Sequence, residues 1–446
     1  MKFRILGFET GAKAPDAVMR ALSNIVQFVR RLAGSPPPPW RTRLASDLTP
    51  EAIAKACLPR VERNLLENIV PFWIETTDTS RGGYRLGDGG RRGIVTQART
   101  LWLFSRLLRS RYGTAKHASA ADSGFRFLRE NLHDPKHGGF YWEVEEEGAP
   151  VRTGKHLYGQ AFAIFALAEY ARTRQNQEAA RLAEATFDVI ELRAHDATHG
   201  GYTEAFERDW TVAKDRSSSY LGAPPGWKQM NTHLHLLEAF TALHDLGLRP
   251  LVRDRLLELI EIIGLRVARL DGPGAGDLFN PDWRPRPERA YARSSYGHYL
   301  ESITLLIDAA RSTSYDIDSL RSVLVARFDV AMSHGWDSRK GGFFESGRPG
   351  RLADRRDKIW WVQAEAMLSA VRMYELTGDA AYLAVFAATL EFVDRYQVDW
   401  QGGEWHNRIS PRGKSSGDKA GLWKAGYHNG RAMIDSLEAL RAIATT

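Results

Sequence analysis

The sequence predicts an all-α fold, an (α/α)6 barrel of six helix-pair repeats with short hairpins at one end. Three observations carry this: a recurring Gly-Gly turn, a helical pattern on either side of each turn, and a difference in composition between the paired helices.

The turn appears as RGGY (81–84), HGGF (137–140), HGGY (199–202) and KGGF (340–343), with QGGEW (401–405) as a looser copy. The first glycines stand at 82, 138, 200, 341 and 402, so successive gaps are 56, 62, 141 and 61. The long gap spans about two repeats, and GPGAGDLF around Gly274 is expected to fill the missing place. Double glycine suits a turn whose backbone needs positive φ.

An amphipathic pattern such as VRDRLLELIEIIGLRVARL leads into each turn, and a stretch with hairpin character follows, as in GGFYWEVEEEGAP. A second helix then begins, for instance KHLYGQAFAIFALAEYA, NTHLHLLEAFTALHDL or SSYGHYLESITLLIDAA. These second helices are rich in aromatic and small residues and nearly lack long charged ones. They can be buried on all sides, whereas the first helices keep a charged face. An inner ring inside an outer ring follows. An open superhelix would leave the second helices wet on one side, which their composition opposes.

The remaining bulk properties narrow the function. The chain has 446 residues, a formal charge of +7 and 43% hydrophobic residues, within the globular range. Its basic residues are scattered, so no nucleic-acid partner is expected. No apolar run is long enough for a membrane span, so no membrane partner is expected either. Cys57 is the single cysteine, which suits a reducing compartment and a cytoplasmic location. Residues 1–45 read as an appendage, with Val18, Leu22, Ile25, Val29 and Leu32 at helical spacing before the stiff spacer SPPPP. The barrel domain is expected over 46–446, as a monomer or homodimer.

Candidate site residues come from polar groups on the inner helices. His233 and His235 lie about 200° apart on a helix, so they cannot share one ligand. His233 falls on the apolar side and suits a hydrogen-bonded core position. His235 shares a face with Asn231 and Glu238. The His-x-x-Glu spacing returns 63 residues later as His298 and Glu301, and His428 follows 130 residues after His298. On this count three histidines sit at one depth on three inner helices and converge on one end of a cavity. Arg99, Tyr158, Gln160, Trp360, Trp361, Gln363, Glu365 and Trp423 are expected near that end.

Aromatic faces with histidine, glutamate and arginine suit a sugar. No phosphate-binding loop or dinucleotide fingerprint is present. Glycoside hydrolysis needs two flanking carboxylates, but the convergent groups are mainly imidazoles, which both take and give protons near neutral pH. That suits proton transfer at a carbon beside a carbonyl. Glu238 and Glu301 would orient the imidazoles, and Arg99 would stabilise an enediolate oxygen. Three histidines and two glutamates could instead hold zinc, but no His-x-x-x-His or cysteine pair supports a metal, and no cofactor is expected.

The motifs ARTLWLFS (98–105), KHLYGQAFAIFALAEY (155–170), NTHLHLLEAFT (231–241), GHYLES (297–302), KIWWVQAEA (358–366) and WKAGYHNGRA (423–432) together resemble the N-acylglucosamine 2-epimerase superfamily. That superfamily includes cellobiose 2-epimerases and mannose isomerases. The resemblance implies an (α/α)6 barrel and a metal-independent reaction through a cis-enediolate. It implies His298 and His428 as the acid/base pair, His235 and Asn231 on the sugar oxygens, and Arg99 on the enediolate. It implies Trp360, Trp361 and Trp423 as walls. A sugar 2-epimerase is the expected activity, with aldose–ketose isomerisation as the alternative and a non-catalytic sugar-binding barrel behind both. The Ser-, Gly- and Pro-rich segment 203–230 is expected to cover the mouth.

Overall fold

The computed structural model describes residues 38–43, 48–85, 90–215, 219–247, 249–267, 276–286 and 293–445. The expected helix at residues 18–32 and residues 272–275 of the expected turn around Gly274 lie outside these.

A short helix, α1 (Pro39–Arg43), opens the compact unit that runs to Thr446. Trp40 is buried in it and donates to Asp329 Oδ1 at 3.1 Å. The outer helices are α2 (Pro50–Arg63) continued by α3 (Val70–Glu75), then α5 (Ala115–Phe127), α7 (Gln177–Ala194), α9 (Pro250–Ile260), α11 (Asp318–Val330) and α13 (Ala380–Phe392). The inner helices are α4 (Ile94–Arg109), α6 (Leu157–Arg174), α8 (Met230–Gly247), α10 (Tyr296–Thr313), α12 (Trp360–Thr377) and α14 (His428–Ala444). Each inner helix packs on the next, and α14 returns to α4, closing the six-membered ring. The expected (α/α)6 architecture is the one the chain forms. In α6, every residue from Leu157 to Ala171 is buried, and Glu169, the one charged residue among them, is held by Arg109 Nε at 2.9 Å.

The glycine turns explain how the inner helices are held. An aspartate opens each one and accepts backbone N–H groups two and three residues on, as Asp134 does from Lys136 and His137. In four of the described turns both glycines then take positive φ, 73° and 66° at Gly138 and Gly139. A side chain from the following inner helix brackets the turn. Gln160 accepts from Phe140 N and donates to Phe140 O, both at 2.8 Å. Gln97 does the same to Tyr84, and Gln363 to Phe343. His233 takes this place in the third repeat, with Nε2 3.0 Å from Tyr202 N. Its core assignment therefore has a definite cause.

Five residues before each bracket stands a cation that binds the turn aspartate: Arg92 to Asp78 at 2.7 Å, Lys155 to Asp134 at 3.0 Å, Lys228 to Asp196 at 2.7 Å and Lys358 to Asp337 at 2.8 Å. Short antiparallel strands tie neighbouring repeats together: Lys155–His156 pairs with Ala205–Phe206, and Lys358–Ile359 with Arg408–Ile409. No helix of the described residues is long and apolar enough to cross a membrane.

Candidate active site

Counting from the cations sets the depth of each polar group. Seven residues after Arg92, Lys155, Lys228, Lys358 and Lys424 come Arg99, Phe162, His235, Glu365 and Arg431. In α10 the matching sixth residue is Glu301. One residue from each inner helix thus forms a level ring across the barrel. Arg99 lies over the Phe162 ring at 4.2 Å, and Phe162 is 4.4 Å from the His235 ring. His235 Nε2 is 3.9 Å from Glu301 Oε1, which is 3.7 Å from Arg431 Nη2. Arg431 then holds Glu365 Oε2 at 2.8 Å.

This ring corrects the expected equal depth of the three histidines. His235 is the sixth residue of α8, but His298 is the third of α10. The repeat from α8 to α10 is three residues longer than the His-x-x-Glu offset, so His235 sits one helical turn deeper. His298 and His428 lie above the ring, toward the hairpin end. All three still line one cavity of about 280 Å³. Arg99, Tyr158, Asn231, Glu301, Trp360, Trp361 and Trp423 line it too, as expected, together with Ile359, Asn407 and Lys424, which were not. Trp361 stands between the upper histidines, its ring 5.1 Å from His298 and 5.6 Å from His428.

Gln363, expected on the substrate, is a turn bracket behind the wall, as is Gln160. Glu238 and Glu365 stand behind histidines rather than in the cavity. Glu238 Oε2 is 3.1 Å from His235 Nδ1, and its other oxygen accepts from Tyr427 Oη and Arg431 Nη1. Glu365 Oε1 is 2.6 Å from His428 Nδ1. Arg99 donates to Trp423 O at 2.6 Å and to Tyr158 Oη at 2.8 Å. In the segment 203–230, Tyr220 stacks on Trp142 at 4.5 Å, and Trp142 is 5.6 Å from Trp423.

Asp277 and Arg431 were not anticipated. Asp277 Oδ2 bonds His298 Nδ1 from 21 residues away in sequence, a distance no helical spacing reveals. Arg431 was within reach, because it stands three residues after His428 in YHNGR.

The charges separate the two upper histidines. Burial disfavours the His298 imidazolium, but Asp277, Glu301 and Glu365 together outweigh it and raise its pKa above 6.5. Burial pushes His428 well below 6.5, and Arg99, Arg431 and His235 push the same way. His235 is lowered to about 4, mainly by burial. Glu301 is pushed up to about 8 by burial and by Glu365, and neither of its oxygens has a hydrogen bond. The cavity therefore sets the two imidazoles apart, His298 shifted toward the protonated form and His428 toward the neutral form, as an acid/base pair requires.

Among the described residues, Glu301, Glu365 and His428 have ligand-type atoms within 4.8 Å of one another. Arg431 takes both oxygens of Glu365 at 2.8 Å. A divalent cation there would face a buried guanidinium, so the donor set fits an ion-paired ring better than a metal.

The family model for N-acylglucosamine 2-epimerase matches residues 82–432. The chain belongs to the N-acylglucosamine 2-epimerase family. It is 31% identical to a cellobiose 2-epimerase of Bacteroides fragilis over 390 residues, covering 84% of this chain and 97% of that one. It is 24% identical to a D-mannose isomerase of Marinomonas mediterranea, covering 84% and 96%. The solved cellobiose 2-epimerase of Spirochaeta thermophila superposes with a TM-score of 0.80 at 32% identity, covering 90% of this chain and 100% of that one. As a family member the chain is an enzyme of the isomerase class.

Proposed function

We propose that this family member is a 2-epimerase of free reducing sugars, working by histidine-mediated proton transfer at C2. The observation that carries the reading is the placing of His298 and His428 on either side of Trp361 in one cavity, with the His298 pKa shifted up and the His428 pKa shifted down. The similarity to cellobiose 2-epimerases supports the substrate class.

In this mechanism the open-chain aldose lies against Trp361. Neutral His428, oriented by Glu365, removes the C2 proton. The electron pair forms a C1–C2 double bond, and the carbonyl oxygen takes the negative charge. Arg99 faces that oxyanion, and His235 and Asn231 hold neighbouring oxygens. His298, protonated beside Asp277, returns a proton to the other face of C2, and the C1 carbonyl reforms. The histidines exchange roles for the reverse reaction. Proton delivery to C1 instead would give a ketose. The similarity to D-mannose isomerases supports this second reading.

The experiment is incubation of mannose, glucose and cellobiose with the protein in heavy water. Deuterium at C2 of a new aldose is the expected result. A ketose labelled at C1 would favour isomerisation, and reducing-end cleavage or no label would overturn both. Activity is expected to survive a chelator.

A further inference from the structure

The sixth turn departs from the others. The equivalent of the double glycine, four and five residues after the turn aspartate Asp399, is Gly403 and Glu404 rather than the Gly402–Gly403 pair read from sequence. Glu404 takes φ 62° and is fully buried. A non-glycine residue there is strained, and strain that persists points to a task. In the other described turns the matching glycines are 83, 139, 201 and 342. A Cβ on each would meet the bracket side chain at 2.6, 2.7, 2.9 and 2.9 Å. The sixth bracket is the shorter Asn429, which leaves room for a side chain.

The Glu404 carboxylate uses that room. Oε1 accepts from Lys424 Nζ and Asn429 Nδ2, both at 2.7 Å, and from Trp405 N at 2.9 Å; Oε2 accepts from Trp73 Nε1 at 2.5 Å. Lys424 is the repeat cation of this turn, five residues before its bracket. Unlike Arg92, Lys155, Lys228 and Lys358, it does not bind the turn aspartate, because Lys419 pairs with Asp399 instead. Lys424 therefore lines the catalytic cavity, its Nζ 4.8 Å over the Trp360 ring.

We propose that Lys424 is a substrate-binding residue, donating to a sugar hydroxyl on the Trp360 side of the cavity, and that Glu404 is the residue that positions it. The assignment rests on the sugar reading above. Glu404 and Lys424 together carry no net charge, so the pair suits a neutral polyol rather than a phosphorylated sugar. Burial lowers the Lys424 pKa from 10.5 and Lys419 lowers it further, while Glu404 opposes both; His406 also faces it.

The test is calorimetric binding of mannitol and cellobiitol, which have no carbonyl to react, from neutral to alkaline pH. Lys424→Met is expected to weaken binding about tenfold or more, as loss of a charge-assisted hydrogen bond does, and Lys424→Arg to restore most of it. Wild-type affinity is expected to fall as Lys424 loses its proton. Glu404→Gln moves that fall to lower pH, and Lys424→Arg abolishes it. Should Lys424→Met not fold, Glu404→Gln and Lys424→Arg still decide the point. Unchanged affinity and pH dependence in these variants would make Lys424 a structural cation only and overturn the assignment. Deuterium transfer to C2 by the same preparations keeps that outcome distinct from failure of the epimerase reading.

Discussion

Asp277 Oδ2 lies 3.0 Å from Nδ1 of His298. Asp277 is the largest of the charges that favour the imidazolium in this buried site. Asp277→Asn removes a charge that favours the protonated form, so the His298 pKa falls. The rate in the direction that uses His298 as acid is lost as pH rises through that pKa. The alkaline limb of kcat/KM is therefore expected at lower pH in the variant, and an unshifted limb in pH–rate profiles would refute the role.

The two upper histidines are expected to fail differently. His428→Asn and His298→Asn should each lower epimerisation by about 10²–10⁴-fold, the usual worth of a positioned acid or base. Each variant keeps one base, however. Exchange of the C2 hydrogen with heavy water should survive from one epimer in His428→Asn and from the other in His298→Asn. Proton NMR of each sugar reads this directly, and loss of exchange from both epimers in either variant would count against a two-base mechanism.

Glu301 should leave a mark on stability. Its folded-state pKa of about 8 stands above the ordinary 4.5. Between those values the folded chain keeps a proton that the unfolded chain has lost. Its contribution therefore falls as pH rises from about 4.5 to about 8 and is level above. Glu301→Gln, a neutral mimic of the protonated acid, should match wild type near the acid end and melt at higher temperature than wild type above pH 8. Thermal scans across this range check it; a parallel pair of curves would show that Glu301 is ionised in the fold.

Gln363 and Gly342 test the turns apart from the chemistry. Gln363→Ala leaves Phe343 N and O without partners, which costs about 1–3 kcal/mol for each buried group. Gly342→Ala puts a Cβ 2.7 Å from Phe392 Cδ1 at φ 74°, with a similar cost expected, about 1–3 kcal/mol. Denaturant unfolding measures both. At temperatures where the folded state dominates, the KM of Gln363→Ala should stay near wild type, since its amide faces the turn. A large rise in KM would return Gln363 to the substrate.

Much of the site was legible because it is repeated. A residue at a fixed distance from a turn reaches a fixed level in a ring of helices, so His298 and His428 could be placed at one level from counting alone. The count failed where repeat length varied. The 63-residue offset between HLLE and HYLE hid a shift of three residues, and His235 moved down one turn. It failed again at Gln363, because a polar residue at the start of an inner helix serves either the cavity or the preceding turn, and periodicity does not separate these.

The amino-acid sequence by itself determined the ring of paired helices, since burial of uncharged helices inside amphipathic ones needs only local composition and a regular repeat. It also determined which imidazoles line the cavity. Tertiary structure alone decided their charges. His298 is raised by an aspartate 21 residues before it, and His428 is lowered by burial, by Arg99 of another inner helix and by Arg431 of its own. A pKa answers to every charge within a few ångströms and to the water excluded around it, and neighbours along the chain supply only part of either.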